Sequence, residues 1–200
     1  MKNGKIHLCA VGRYFSIVAI LTISCMGYGA ALLPVIDDFN QAQTNNLGHA
    51  RQFMTDTVAG GGTTLEHTVE QGVVAVKGNI APPRGQPGWA SMVLLLDAEN
   101  LPKDASEYEG ISIRVKIHTG SLSISANSVE VTNFDYHAAP IVVPQDGKFH
   151  ELKIPFRSLK RAWSEQTQLN TKTISSVSIV AFGMQQGVFG FDVDEVSFYK

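Results

Sequence analysis

The sequence predicts an all-β fold in which two antiparallel sheets stack as a sandwich or jelly roll. Three observations carry that prediction. Apolar residues recur with period two along most of the chain, the mark of strands with one buried face. Turn signals separate the runs at Gly60-Gly61-Gly62, Gly72, Pro82-Pro83, Gly110, Gly120, Asp146-Gly147 and Gln186-Gly187, a spacing that suits a sandwich. No stretch of helical periodicity exceeds about two turns. Hydrophobic residues make up 44% of the 200, enough for one domain with its own core.

The first thirty residues stand apart. Lys2, Lys5 and Arg13 precede an apolar run at 15–24 (FSIVAILTIS), and the small residues Gly27, Gly29, Ala30 and Ala31 follow. This order predicts a secretory signal peptide over residues 1–30. The run is about ten residues, half of what a bilayer span needs. Export then makes the mature protein periplasmic or secreted, with no membrane span. Both cysteines, Cys9 and Cys25, fall inside the segment, so the mature chain carries no disulfide and no thiolate chemistry. Thr22-Ile23-Ser24-Cys25 loosely resembles a bacterial lipoprotein box, which leaves a lipid anchor at Cys25 as an alternative.

One domain is expected over residues 31–200, with no linker or repeat. Residues 35–39 (VIDDF) read as its first strand, and 65–69 as another. Val73-Val74-Ala75-Val76 and the run at 92–96 (MVLLL) suit buried strands. Ile111, Ile113, Val115 and Ile117 alternate with polar partners, as do Leu122 and Ile124, and Val177, Ile179 and Ala181. Phe189, Phe191 and Val193 share one side, and Val196 and Phe198 resume it after a slip of one, the signature of a β-bulge. A short helical turn is expected near 158–163. The first and last strands are expected to pair and tie down both termini.

Charge narrows the function. Lys2, Lys5 and Arg13 are three of the sixteen basic residues, and none of the eighteen acidic ones precedes Asp37. The mature chain therefore carries a net −5, which gives no basic footprint for nucleic acid. Catalysis finds no signature: there is no Gly-x-Ser-x-Gly elbow, no His-Glu-x-x-His and no mature cysteine.

Six segments resemble, in order, the complex I intermediate-associated protein 30 family. They are Asp56-Thr57-Val58-Ala59-Gly60-Gly61-Gly62-Thr63, Val76-Lys77-Gly78-Asn79-Ile80, Gly88-Trp89-Ala90-Ser91, Tyr108-Glu109-Gly110-Ile111, Leu152-Lys153-Ile154-Pro155-Phe156 and the closing strand from Gly187 to Tyr199. The resemblance implies a galactose-binding-like jelly-roll β-sandwich, similar in fold to carbohydrate-binding module family 11, and a non-catalytic role. The chain departs from the family's pattern at His118-Thr119-Gly120 and at Lys160-Arg161-Ala162-Trp163.

Two kinds of partner are expected: a carbohydrate or glycan, or a protein held in the manner of an assembly factor. For a sugar, ring faces stack on C–H groups while planar donors take hydroxyls. Arg84, Gln86 and Trp89 surround a Pro/Gly-rich loop that offers both, although Trp89 also reads as core. Asn133-Phe134-Asp135-Tyr136-His137 is the richest polar cluster. If Phe134 and Tyr136 share a face, Asn133, Asp135 and His137 share the opposite one, either as a row that reads hydroxyls or as a solvated face. Trp163, beside Lys160-Arg161, is a ligand platform or a cap on the sandwich. The glycine triplet at 60–62 reads as a tight turn rather than an anion cradle. Asp38 and Asp194, with Asp37, Asp192 and Glu195, would converge if the terminal strands pair. A structural Ca²⁺ would relieve their repulsion, and the resemblance implies such a site in this region.

Overall fold

The computed structural model describes residues 32–200 together with Met1, so the signal segment and Cys25 lie outside the described residues. Twelve strands form: β1 (Val35–Asp37), β2 (Gln52–Thr55), β3 (Thr64–Glu70), β4 (Val73–Ile80), β5 (Gly88–Leu95), β6 (Gly110–Thr119), β7 (Ser121–Ser128), β8 (His137–Ile141), β9 (His150–Pro155), β10 (Lys160–Arg161), β11 (Ile174–Gly183) and β12 (Gly187–Tyr199). They build two antiparallel sheets. One runs β3-β4-β12-β6-β9, with β1 also on β12; the other runs β10-β8-β7-β11-β5-β2. No helix among the described residues is long and apolar enough to cross a membrane.

The period-two pattern decides which side chains meet between the sheets. Ile111, Ile113, Val115, Phe191 and Val193 enter from the first, and Met92, Leu94, Ile124, Val177 and Ile179 from the second, each almost wholly buried. Each such side chain removed from water contributes roughly 1.5–3 kcal/mol. The slip in the closing strand is a bulge: the register against β6 shifts between Val193 and Glu195. Asp194 absorbs the extra position, so Val196 and Phe198 return to the core.

The terminal strands pair as expected, Val35 opposite Ser197. Their carboxylates do not converge. Asp37 is buried and held by Arg51, Nε to Oδ2 at 2.6 Å and Nη2 to Oδ1 at 2.8 Å. Asp192 pairs with Lys116 at 2.6 Å, and Asp194 with Arg114. Asp38 instead accepts from the Asn40 N–H at 3.1 Å. Among the described residues no three His, Cys, Asp or Glu gather closely enough to hold a metal ion. Asp37, Asp192 and Asp194 are thus each paired with a cation, while Asp38 is held by the N–H of Asn40. A correction falls at 158–163. The helical turn lies earlier, over Phe156–Ser158, and Lys160–Arg161 is a short strand on β8.

Candidate functional site

A cleft of about 1080 Å³ lies on the outer face of the second sheet. Its floor follows from the alternation of β5, β7 and β11. While Met92, Ile124 and Ile179 point into the core, Ser91, Ser125, Asn127, Ser178 and Val180 point the other way. Ser178 stands opposite Ser125 across the ladder, and Val180 opposite Ser91. The Asn127 side-chain amide donates to Ser176 Oγ at 2.9 Å and to Ser178 Oγ at 2.8 Å, and Ser125 Oγ donates to Asn127 Oδ1 at 3.3 Å. These short side chains stay low and linked, so the walls stand above them.

One wall carries Val58, Gln86, Pro87 and Trp89, with Met54 of β2 beside it. Asp56 holds it from behind. Its buried carboxylate accepts from Thr63 N–H at 3.0 Å, Thr63 Oγ1 at 2.6 Å and Trp89 N–H at 3.1 Å. The glycine triplet closes this bracket: Gly60 sits at φ +83°, and a Cβ on Gly61 would overlap the Asp56 carboxylate. The triplet is thus a tight turn, and the donors around it serve Asp56 rather than an anion.

The opposite wall carries Phe134, Tyr136 and Trp163. Tyr136 and Trp163 meet edge to face, ring centres 5.3 Å apart at 88°. Asp135 holds this wall in the same way. It accepts from Tyr136 N–H at 2.8 Å, Ala162 N–H at 2.9 Å, Ser164 N–H at 3.0 Å, Arg161 Nε at 2.9 Å and the Ser164 hydroxyl. Burial would raise the Asp135 carboxyl. The hydrogen bonds from Ser164, Arg161 and Tyr136 outweigh it and hold the group well below the usual carboxylate range. Arg161 also donates to Asn133 Oδ1 at 3.0 Å, so one ion pair ties the loop before β8 to β10.

The sequence expectations divide accordingly. Trp89, Tyr136 and Trp163 come together in the cleft; Trp89 is half-buried on the outer face and is not core. Arg84 is exposed on the same loop as Gln86 but outside the lining. The row of Asn133, Asp135 and His137 is inverted. Asp135 and His137 are buried at 6% and 2% exposure, and the aromatic pair faces the cleft. His137 Nε2 lies 3.0 Å from the Thr167 carbonyl, and its Nδ1 has no partner among the described residues. Burial pushes the imidazole down and keeps it neutral. The serine floor and the two carboxylate brackets went unread. Their signal was the run of outward serines and the Asp-to-Thr spacing of the glycine motif.

Among the described residues, no Asp, Glu, His, Lys or Arg lines the cleft. Burial, and then the Asp135 charge, raise the Tyr136 phenol, which stays neutral. The lining therefore offers ring faces, hydroxyls and amides.

The model of the family described as complex I intermediate-associated protein 30 matches residues 38–193. No curated protein matches the sequence. Among solved structures, the chain is similar to the family 11 carbohydrate-binding module from Clostridium thermocellum in complex with a β-1,3-1,4-mixed-linked tetrasaccharide. Identity is 18% and the TM-score 0.58, over 83% of this chain and 94% of that one. The same module of the cellulosomal cellulase Lic26A-Cel5E gives 18% and 0.59, over 85% and 95%. An agarase matches at 11% and 0.53, over 82% of this chain but only 26% of its own. At these identities the likeness is one of fold.

Proposed function

This chain belongs to the complex I intermediate-associated protein 30 family, and on that premise we propose that it is an exported, non-catalytic module that binds a glycan chain in the outer cleft of its second sheet. The observation that carries the reading is the pairing of aromatic walls with a floor of linked hydroxyls and one amide. Rings pack on the apolar faces of pyranoses, and short polar groups take the hydroxyls. The lining follows the sheet from Met54 on β2 to Tyr136 before β8. At about 4.8 Å per strand that is about 19 Å, room for a chain of several sugar units. The fold shared with carbohydrate-binding modules supports the same reading. The basic and apolar character of residues 1–30 supports export.

Trp89, Tyr136, Trp163 and Phe134 are the expected ring contacts and Gln86 the expected polar one. Asn133, Asp135 and His137 act through the wall they hold. The two tryptophans of the chain both line the cleft, so intrinsic fluorescence reports on it directly. Titration with mixed-linkage β-glucan and a panel of other soluble polysaccharides should shift the emission, and Trp163→Ala should remove most of the affinity. Unchanged fluorescence and no heat with every polymer would refute the reading.

Phe134 is 93% exposed and Trp163 61%. Large apolar rims of this kind also suit a protein surface, and the family description points to an assembly role. A single stoichiometric protein captured by the wild type but not by Phe134→Ser, with no glycan bound, would favour that second reading.

A further inference from the structure

We propose, resting on the reading of the cleft as a glycan site, that its ligand is an uncharged chain and that the cleft discriminates against glycans bearing carboxylate or sulfate groups. Among the described residues fifteen line it, and none is an ordinary acid or base. The carboxylates behind its walls are committed elsewhere. Asp135 and Arg161 neutralise each other behind one wall, with side-chain exposures of 0% and 10%. Asp56 is buried behind the other, with its oxygens already accepting from Thr63 and Trp89. The floor amide of Asn127 already spends donors on Ser176 and Ser178.

A carboxylate or sulfate laid on this surface would lose water and find no cation in return. Burying an unpaired charge costs far more than burying a hydroxyl that finds one partner. The long-range field acts in the same direction, because residues 31–200 carry a net −5. A neutral chain meets neither penalty. Arg84, on the loop that carries Gln86, and Lys160, before Trp163, are exposed cations outside the lining.

The test sets neutral polymers beside acidic ones of the same backbone: hydroxyethyl- against carboxymethyl-cellulose, and desulfated against sulfated galactan, with mixed-linkage β-glucan added. Affinity electrophoresis and calorimetry of the exported chain should find at least one neutral polymer bound. Its acidic counterpart should bind about 100-fold more weakly or worse. Neutral binding should hold within about twofold as ionic strength rises from about 0.01 M to about 1 M, because no ion pair is there to screen. The variant Gln86→Arg places a cation on the exposed rim and should raise acidic-polymer affinity about tenfold. Acidic polymers bound as tightly as neutral ones, or no gain from Gln86→Arg, would overturn the charge inference and leave the glycan reading standing. No polymer of either kind bound would remove both. Loss of acidic binding in Arg84→Ala would identify the exposed cation as its cause and also count against discrimination by the cleft.

Discussion

Substituting Asp135 by Asn isolates the bracket behind the aromatic wall, because the side chain keeps its size and loses its charge. In the wild type, one carboxylate oxygen accepts from the N–H groups of Tyr136 and Ala162, and the other from Arg161 Nε and from both the N–H and hydroxyl of Ser164. Asn can serve the first set with its carbonyl oxygen. Its NH2 then faces three donors, and Arg161 is left charged and nearly buried. Breaking a buried pair from one side costs about 3–5 kcal/mol. For a domain of this size that lowers the melting temperature by roughly 6–20 °C. Urea denaturation should show the midpoint fall with the slope unchanged. Near-UV dichroism should lose the signal of the Tyr136–Trp163 contact. Acid should also act differently on the two proteins. The folded carboxyl sits below its ordinary 3.8, so its stabilisation is complete above about pH 4 and is lost as pH falls toward the folded value. The wild type should therefore lose more stability than Asp135→Asn between about pH 4 and pH 2. A loss under about 1 kcal/mol at neutral pH, or parallel acid curves, would show that Asp135 is not the bracket described.

Other outcomes follow from the same geometry. Gly61→Ala forces a Cβ into the Asp56 carboxylate and should cost about 1–3 kcal/mol by overpacking, with glycan affinity falling as Trp89 shifts. Denaturation and titration of that one variant check both effects. Trp163→Ala, at 61% exposure, should change stability by less than about 0.5 kcal/mol while affinity drops tenfold or more, a separation that a structural cap would not give.

The core was legible in the sequence because it obeys one rule. Every second residue of β6, β7, β11 and β12 faces inward, and even the slip at Asp194 announces itself as a break in that rhythm. The cleft was only half legible, because its walls are loops where the rhythm stops. Phe134 adopts φ +62°, a left-handed turn that no alternation reveals. Beyond it Tyr136 faces the cleft, and Asp135 and His137 are buried. Arg161 falls where a short helical turn was expected, yet its fork reaches back across twenty-six positions to Asp135. The outward serines at 125, 176 and 178 stand in the sequence only as the polar partners of the alternation. They are buried because distant loops rise around them, which strand periodicity cannot express.

The two brackets share a design, and it bears on how the cleft would work. On each side a carboxylate collects backbone N–H groups from the loop that carries the rings: Trp89 N–H on one wall, and Tyr136, Ala162 and Ser164 N–H on the other. Apolar packing could bury those loops but would leave their N–H groups unsatisfied. A buried carboxylate satisfies several at once and fixes backbone position, not merely side-chain volume. Rings held at their backbones lose little freedom when a ligand arrives, so less of the contact energy is spent on ordering. The Asp-to-Thr spacing of the glycine motif then has a physical cause. Asp56 needs Thr63 as a double donor, Gly60 supplies the turn, and Gly61 leaves the carboxylate room.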